Sequence, residues 1–249
     1  MEDTLQRVFA IIIAVVIFFL LPLYIAFEKK DDISYSLALR ITTNFVDNVK
    51  SKGYLSKEMY DNFISRLSIT GNVYDIKLEH IAKKYNPVIY SYDNDYKQIK
   101  EKFDYNTYKE QFENGQINSA TGIYKNLVLA YELYEVRYNE SNIIEALDLN
   151  EQIIRRVEEG TSEAENYKSV NRDNIPVISG IYRTDENKAL YPMSKGDEFT
   201  VIIKNTNTTV ASILFNTLTF GANTGNDTKV YINYGGSIQS EEYRKTVLE

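Results

Sequence analysis

The chain contains no cysteine, which excludes disulfide staples, thiolate metal sites and a cysteine nucleophile. It contains one histidine, His80, so no multi-histidine metal site can form within one chain. Basic residues are in the minority, 28 Lys and Arg against 35 Asp and Glu, for a net charge of −7. A nucleic-acid binder needs a basic face to meet phosphates, so nucleic acid is not an expected partner. Tryptophan is also absent, whereas tyrosine occurs 21 times.

Chemical motifs are missing too. There is no G-x-x-x-x-G-K-[ST] loop, no G-x-G-x-x-G, no G-x-S-x-G, no S-x-x-K and no H-E-x-x-H. The segment GANTGNDTK at 221–229 spaces two glycines but lacks the Gly-Lys-Ser/Thr step. Asp93-Asn94-Asp95 opens like a calcium loop, yet its sixth position is not glycine and its twelfth is Asp104, not glutamate. Carboxylates are too many for any pair to stand out. His80 has no nucleophile or carboxylate placed with it by a motif, and it reads as a structural histidine at a sheet edge. The sequence therefore nominates no catalytic, cofactor-binding or metal-ligating residue, and the expectation is a protein that is not an enzyme.

What is present begins at the N-terminus. Val8 to Phe27 (VFAIIIAVVIFFLLPLYIAF) is an uncharged, almost wholly apolar run. A bilayer core of about 30 Å needs about 20 such residues in a helix rising about 1.5 Å each. No other stretch of the chain can span a membrane. The run is longer than the apolar core of a signal peptide, MEDTLQR is not strongly positive, and no clear A-x-A step follows. The expectation is an uncleaved anchor at residues 1–30 with its span at 8–27. Pro22 falls inside it, where a kink is expected. Orientation is contested: Lys29 and Lys30 favour a cytoplasmic domain, whereas the cysteine-free, Asn-, Thr-, Tyr- and Ser-rich composition suits a cell surface. We expect a single-pass protein of the cell membrane with its main domain extracellular.

After Glu28–Asp32, apolar residues recur at Ile33, Leu37, Ala38, Ile41, Phe45, Val46 and Val49, a spacing that gives one apolar helical face. Nothing interrupts this pattern before Gly53, so one helix is expected from about residue 5 to about 51. Ser56 is placed to cap a second helix with Met59, Tyr60, Phe63, Ile64 and Leu67 on its apolar face, ended by Gly71. Val73 to Ala82 alternates as a strand does.

The organisation expected is α+β. A long membrane-to-soluble helix packs on a small antiparallel sheet, with residues 31–85 supplying the amphipathic helix, second helix and first strand. Residues 86–174 read as a mostly helical insertion: a loop, a short helix around Tyr96–Phe112, and a mostly helical stretch over 120–160 in which Leu127, Ala130, Tyr131 and Tyr134 share a face and Asn142 with Glu145 makes a capping-box-like start. Residues 175–236 complete the domain as β-rich sequence. Within them, Ile175–Tyr182, Phe199–Lys204 and Lys229–Tyr234 are strands, and Asn207 caps a short helix over 208–220. Gly235-Gly236 ends the last strand, and 237–249 is a polar tail.

This plan resembles that of type IV pilin-like proteins. LLPLY, with Pro22 and Tyr24, looks like the proline and nearby tyrosine that close a pilin's apolar segment. FVDNVKSKGYLSKEMYDNFISRLSITGNVYDIKLEH at 45–80 and KGDEFTVIIKNTNTTVASILF at 195–215 are similar to pseudopilins of the tight-adherence (Tad) kind in Firmicutes. The resemblance implies a structural, non-catalytic subunit or assembly component of a surface filament or secretion apparatus. Its partners would be membrane lipid and other pilin-like subunits or assembly-machinery proteins. The family also carries a basic leader ending in glycine and a glutamate at the fifth mature position, which pairs with a neighbouring subunit's α-amine. Here MEDTLQR is not such a leader, position five is Leu5 and the nearest acid is Glu2. Glu2, Pro22 and Tyr24 are therefore the candidate assembly residues, Glu2 with a shifted register. Two other readings stay open: an anchored binding or sensing ectodomain that uses the tyrosine-rich 86–138 region, and an anchored cell-wall enzyme.

Overall fold

The computed structural model describes residues 2–92, 98–114, 127–148, 190–219 and 230–242. They form an α+β structure with two compact units: Met1–His80 joined by Tyr138–Glu249, and Ile81–Arg137.

In the first unit a single helix, α1, runs Glu2–Lys52 without a break. Its 51 residues at about 1.5 Å each make it roughly 77 Å long. The charged cluster Glu28–Asp32 stays helical, as expected, and so does Pro22. Because Pro22 has no N–H, the carbonyl of Phe18 loses its usual partner there. The two halves of α1 differ sharply. Large apolar side chains from Leu5 to Ile25 are bare, with Phe18 76% exposed. Ala38, Ile41, Phe45, Val46 and Val49 are buried. Between these, Thr42 is fully buried but donates its hydroxyl to the Ala38 carbonyl at 2.8 Å, which satisfies it within the helix.

The apolar stripe of α1 packs on a short helix and a sheet. Phe45 stacks on Phe63 of α2 (Lys57–Ser68), with ring centroids 4.2 Å apart at 10°. It also meets Phe199 edge-on at 6.2 Å. Ser56 caps α2 as expected, accepting from the Met59 N–H at 3.2 Å. Gly53 turns the chain out of α1: its N–H bonds the Val49 carbonyl at 2.8 Å and its φ is +77°. A Cβ there would lie 1.9 Å from the Ser240 carbonyl oxygen, so both conformation and space require glycine.

Strand β1 (Tyr54–Ser56) pairs antiparallel with β5 (Leu190–Pro192) as a two-stranded sheet. The larger sheet has the order β3-β2-β6-β7, with β4 also paired to β2. Here β2 is Tyr74–Tyr92, β3 Ile99–Asp104, β4 Leu127–Asn139, β6 Glu198–Asn205 and β7 Tyr231–Ser237. β6 and β7 are antiparallel from Glu198↔Ser237 to Lys204↔Tyr231. β7 continues through Gly235 and Gly236, which the sequence suggested as its stop. A Cβ at Gly235 would come 2.7 Å from the Phe199 carbonyl oxygen, so this glycine permits close strand approach and does not break the strand.

Residues 86–148 correct the expected mostly helical insertion. β2 runs on through Pro87 to Tyr92, β3 follows, and β4 occupies 127–139 where a helix was expected. Leu127, Ala130, Tyr131 and Tyr134 do fall at helical spacing. LVLAYELYEVRYN is nonetheless rich in β-favouring Val and Tyr, and pairing with β2 decides its state. Helix α3 (Tyr105–Glu113) realises only the later part of the helix expected around Tyr96–Phe112. Helix α4 begins at residue 140 and is described to 148. Its cap lies three residues earlier than expected: Asn139 accepts from the Asn142 N–H at 3.0 Å, and Asn142 accepts from the Asn139 N–H at 3.1 Å. Asp93–Asp95, residues 149–174 and the strand expected at Ile175–Tyr182 lie outside the described residues.

Helix α5 (Val210–Leu218) confirms the short helix expected over 208–220, but its cap is Thr209, which accepts from the Ser212 N–H. Asn207 is occupied elsewhere, accepting from the Val73 N–H at 2.8 Å and donating to Asn72 Oδ1.

Candidate functional site

Two features of the first unit are candidates for function: the bare half of α1 and the environment of its one histidine. The described residues include one helix long and apolar enough to cross a membrane, and its apolar window is entirely unburied. In water such a surface is unfavourable by about 25 cal/mol per Å². The three candidate assembly residues lie along this helix. Glu2 is its first residue, and Pro22 is inside it and exposed. Tyr24 is half-buried, with its ring 6.0 Å from that of Phe215 on α5. Glu2 and Tyr24 are separated by roughly 33 Å of helix at about 1.5 Å per residue. They therefore form no single cluster within one chain.

His80 belongs to the apolar face of β2, where the alternation placed it. β2 pairs with β3, β4 and β6. The residue is buried, and the Tyr191 hydroxyl is 2.8 Å from Nδ1. Asp197 Oδ2 is 3.0 Å from Nε2 and also accepts from the Ser194 N–H at 2.8 Å. Tyr138 stacks on the ring with centroids 5.6 Å apart. For a neutral ring, the tautomer that satisfies both contacts has Tyr191 O–H donating to Nδ1 and Nε2–H donating to Asp197. Hydroxyl, imidazole and carboxylate thus align in the order they take around a nucleophile, with all three residues buried.

Burial pushes the Tyr191 hydroxyl well above the ordinary tyrosine range, and Tyr138 and Asp197 push it further in the same direction. A group whose folded value is raised adds stability that is fully present below its unfolded value of about 10. That stability is lost as pH rises towards the folded value. Alkaline unfolding is therefore expected to begin above about pH 10. Tyr191→Phe should show a shallower decline of stability with pH in that range, measured by denaturant melts monitored by circular dichroism. An unchanged slope would remove Tyr191 from the alkaline transition.

The second unit carries its own polar cluster. Glu132 accepts from Tyr90 and from Lys102, the latter at 2.6 Å. Tyr90 and Lys102 face each other in the β2–β3 register. Hydrogen bonding from Lys102 first, then from Tyr90, lowers the Glu132 carboxyl below its usual value. Lys102 is exposed and Tyr90 and Glu132 are half-buried, and the three tie neighbouring strands together as cross-strand pairs do.

The sequence missed Tyr191 and Asp197 as partners of His80. The only local signal was Lys195-Gly196-Asp197, legible as a turn, in which Gly196 has φ +94°. No protein-family model, curated protein or solved structure matches the chain.

Proposed function

We propose that the chain is a single-pass, membrane-anchored structural protein. In this reading it is a pilin-like subunit or assembly component of a surface filament or secretion apparatus, with its folded domain outside the cell. The observation that carries this reading is α1, one unbroken helix whose first half is bare and apolar and whose second half is the spine of a folded domain. A tether needs only to cross the bilayer and end. This helix is about twice that length, and it holds the domain rigidly in line with the span.

The span lacks Gly and Ser. Side-by-side packing of bulky Ile, Val and Phe side chains is thus the mode of association open to it, not close GxxxG contact. The seclusion of His80 supports a non-catalytic role. The reading is tested by intact-mass analysis of material sheared from the surface of cells that carry the chain. Recovery in the sheared fraction is expected. Retention in the membrane fraction, in cells that shed filaments normally, would sink the filament reading. An anchored binding ectodomain would then be favoured, because β4 in the second unit exposes Leu129, Tyr131 and Leu133.

A further inference from the structure

We propose that α5 and the 69–73 turn form a second membrane contact, lying in the headgroup region beside the point where α1 leaves the bilayer. This rests on the reading of residues 8–27 as a membrane span.

Four contacts place these segments. The Phe215 ring lies 6.0 Å from that of Tyr24, which is inside the apolar run and three residues before its end. Ser34 Oγ, ten residues further along α1, donates to the Thr70 carbonyl at 3.2 Å. The 69–73 turn is tied to the start of the α5 segment by Val73 N–H to Asn207 Oδ1 and by Thr206 N–H to the Val73 carbonyl, both 2.8 Å. The patch therefore flanks α1 from about Tyr24 to about Ser34, roughly 15 Å at about 1.5 Å per residue. A ring level with Tyr24 cannot stand in bulk water if residues 8–27 stand in lipid.

The chemistry of the patch suits that depth. Its exposed large side chains are Ile33, Ile69, Val73, Val210, Ile213 and Phe215. On α5, Val210, Ile213, Leu214 and Thr217 share one helical face, turned away from buried Ala211 and Ser212. A quarter of the whole chain is charged, yet neither 69–73 nor 206–219 contains a charged residue. Two of the patch's exposed or half-buried hydroxyls are satisfied within α5. Thr217 donates to the Ile213 carbonyl and Thr219 to the Phe215 carbonyl, both at 2.8 Å, as threonine does in apolar surroundings. Lys29 and Lys30, exposed on α1 at the same level, are long enough to reach lipid phosphates. The charges at this level, Glu28, Asp31 and Asp32 with the two lysines, are all on α1, and a bilayer surface is the occupant that the uncharged 69–73 and 206–219 segments beside the span fit.

The absence of native cysteine makes the test clean. Single variants Ile213→Cys, Lys195→Cys and Ile13→Cys of the full chain are labelled with an environment-sensitive fluorophore and reconstituted in phosphatidylcholine vesicles. Lys195 is exposed in the turn before β6, where Gly196 bonds the Ile238 carbonyl beyond β7. The Ile213 probe is expected to be quenched several-fold more strongly than the Lys195 probe by headgroup-level nitroxide lipids, and several-fold less by aqueous iodide. Val210→Cys serves as a second reporter, with circular dichroism as the fold check. If the Ile13 probe is lipid-quenched while the Ile213 and Val210 probes are as open to iodide as Lys195, the proposal is overturned. Shielding of Ile213 from both quenchers overturns it as well, since a protein neighbour then covers the patch. If the Ile13 probe itself escapes lipid quenching, the span reading has failed, a result distinct from the other two.

Discussion

Replacing Ile13 and Ile17 together by aspartate is expected to release the chain from the membrane fraction. Both side chains lie on one face of α1, both are more than half exposed, and neither belongs to the buried core. An aspartate near the centre of a span is unfavourable by about 2.5–3.5 kcal/mol, and each isoleucine it displaces contributed about 0.3–0.6 kcal/mol. The pair amounts to about 6–8 kcal/mol, or roughly four to six orders of magnitude in partition at about 1.4 kcal/mol per tenfold. Carbonate extraction of membranes reads this directly. The far-UV spectrum of the domain should not change, since the substituted positions touch none of its core. A double variant that stayed carbonate-resistant would show that residues 8–27 are not what holds the protein to the membrane.

His80→Ala is expected to destabilise the first unit by about 3–5 kcal/mol, because two buried polar groups each lose a hydrogen-bond partner at about 1–3 kcal/mol apiece and the ring's packing is lost as well. The reason lies in what remains. The Tyr191 hydroxyl loses its contact with Nδ1, and Asp197 Oδ2 loses its contact with Nε2 while still accepting from the Ser194 N–H. Removing the ring also leaves a cavity beneath Tyr138. Domains of this kind are stable by about 5–15 kcal/mol, so the loss is a large fraction of the total. At roughly 2–4 °C per kcal/mol, the thermal midpoint should fall by roughly 6–20 °C. Asp197→Ala should cause a similar loss, and the double variant should lose less than the sum, because both break one network. A loss below about 1 kcal/mol for His80→Ala would mean that the cluster is not holding β2 to the 191–197 segment.

The elements that could be read in the sequence are those whose pattern is local and repeated. α1 was legible because about fourteen turns of helix carry two signals in succession, a continuous apolar run and then a stripe. Ser56 capped its helix as placed, and FTVIIK became β6, because each satisfies its own rule within a few residues. β1 and β5 were not legible. Each is three residues long and exists only by pairing with the other across more than a hundred residues of chain. β4 was misread because LVLAYELYEVRYN fits both periods, and only its neighbour β2 decides between them. The histidine cluster failed for the same reason: its partners are 111 and 117 residues away along the chain. Of the assembly candidates, Tyr24 gained a partner in Phe215 that no spacing rule could supply.

The continuity of α1 through Glu28–Asp32 fixes more than distance. A loop there would let the domain swivel freely about the membrane normal. A helix resists torsion, so if residues 8–27 span a bilayer, the compass bearing of the first unit, which packs on the second half of α1, follows the rotation of that span. Neighbouring chains that align their spans would align their domains as well, without a separate recognition step in water.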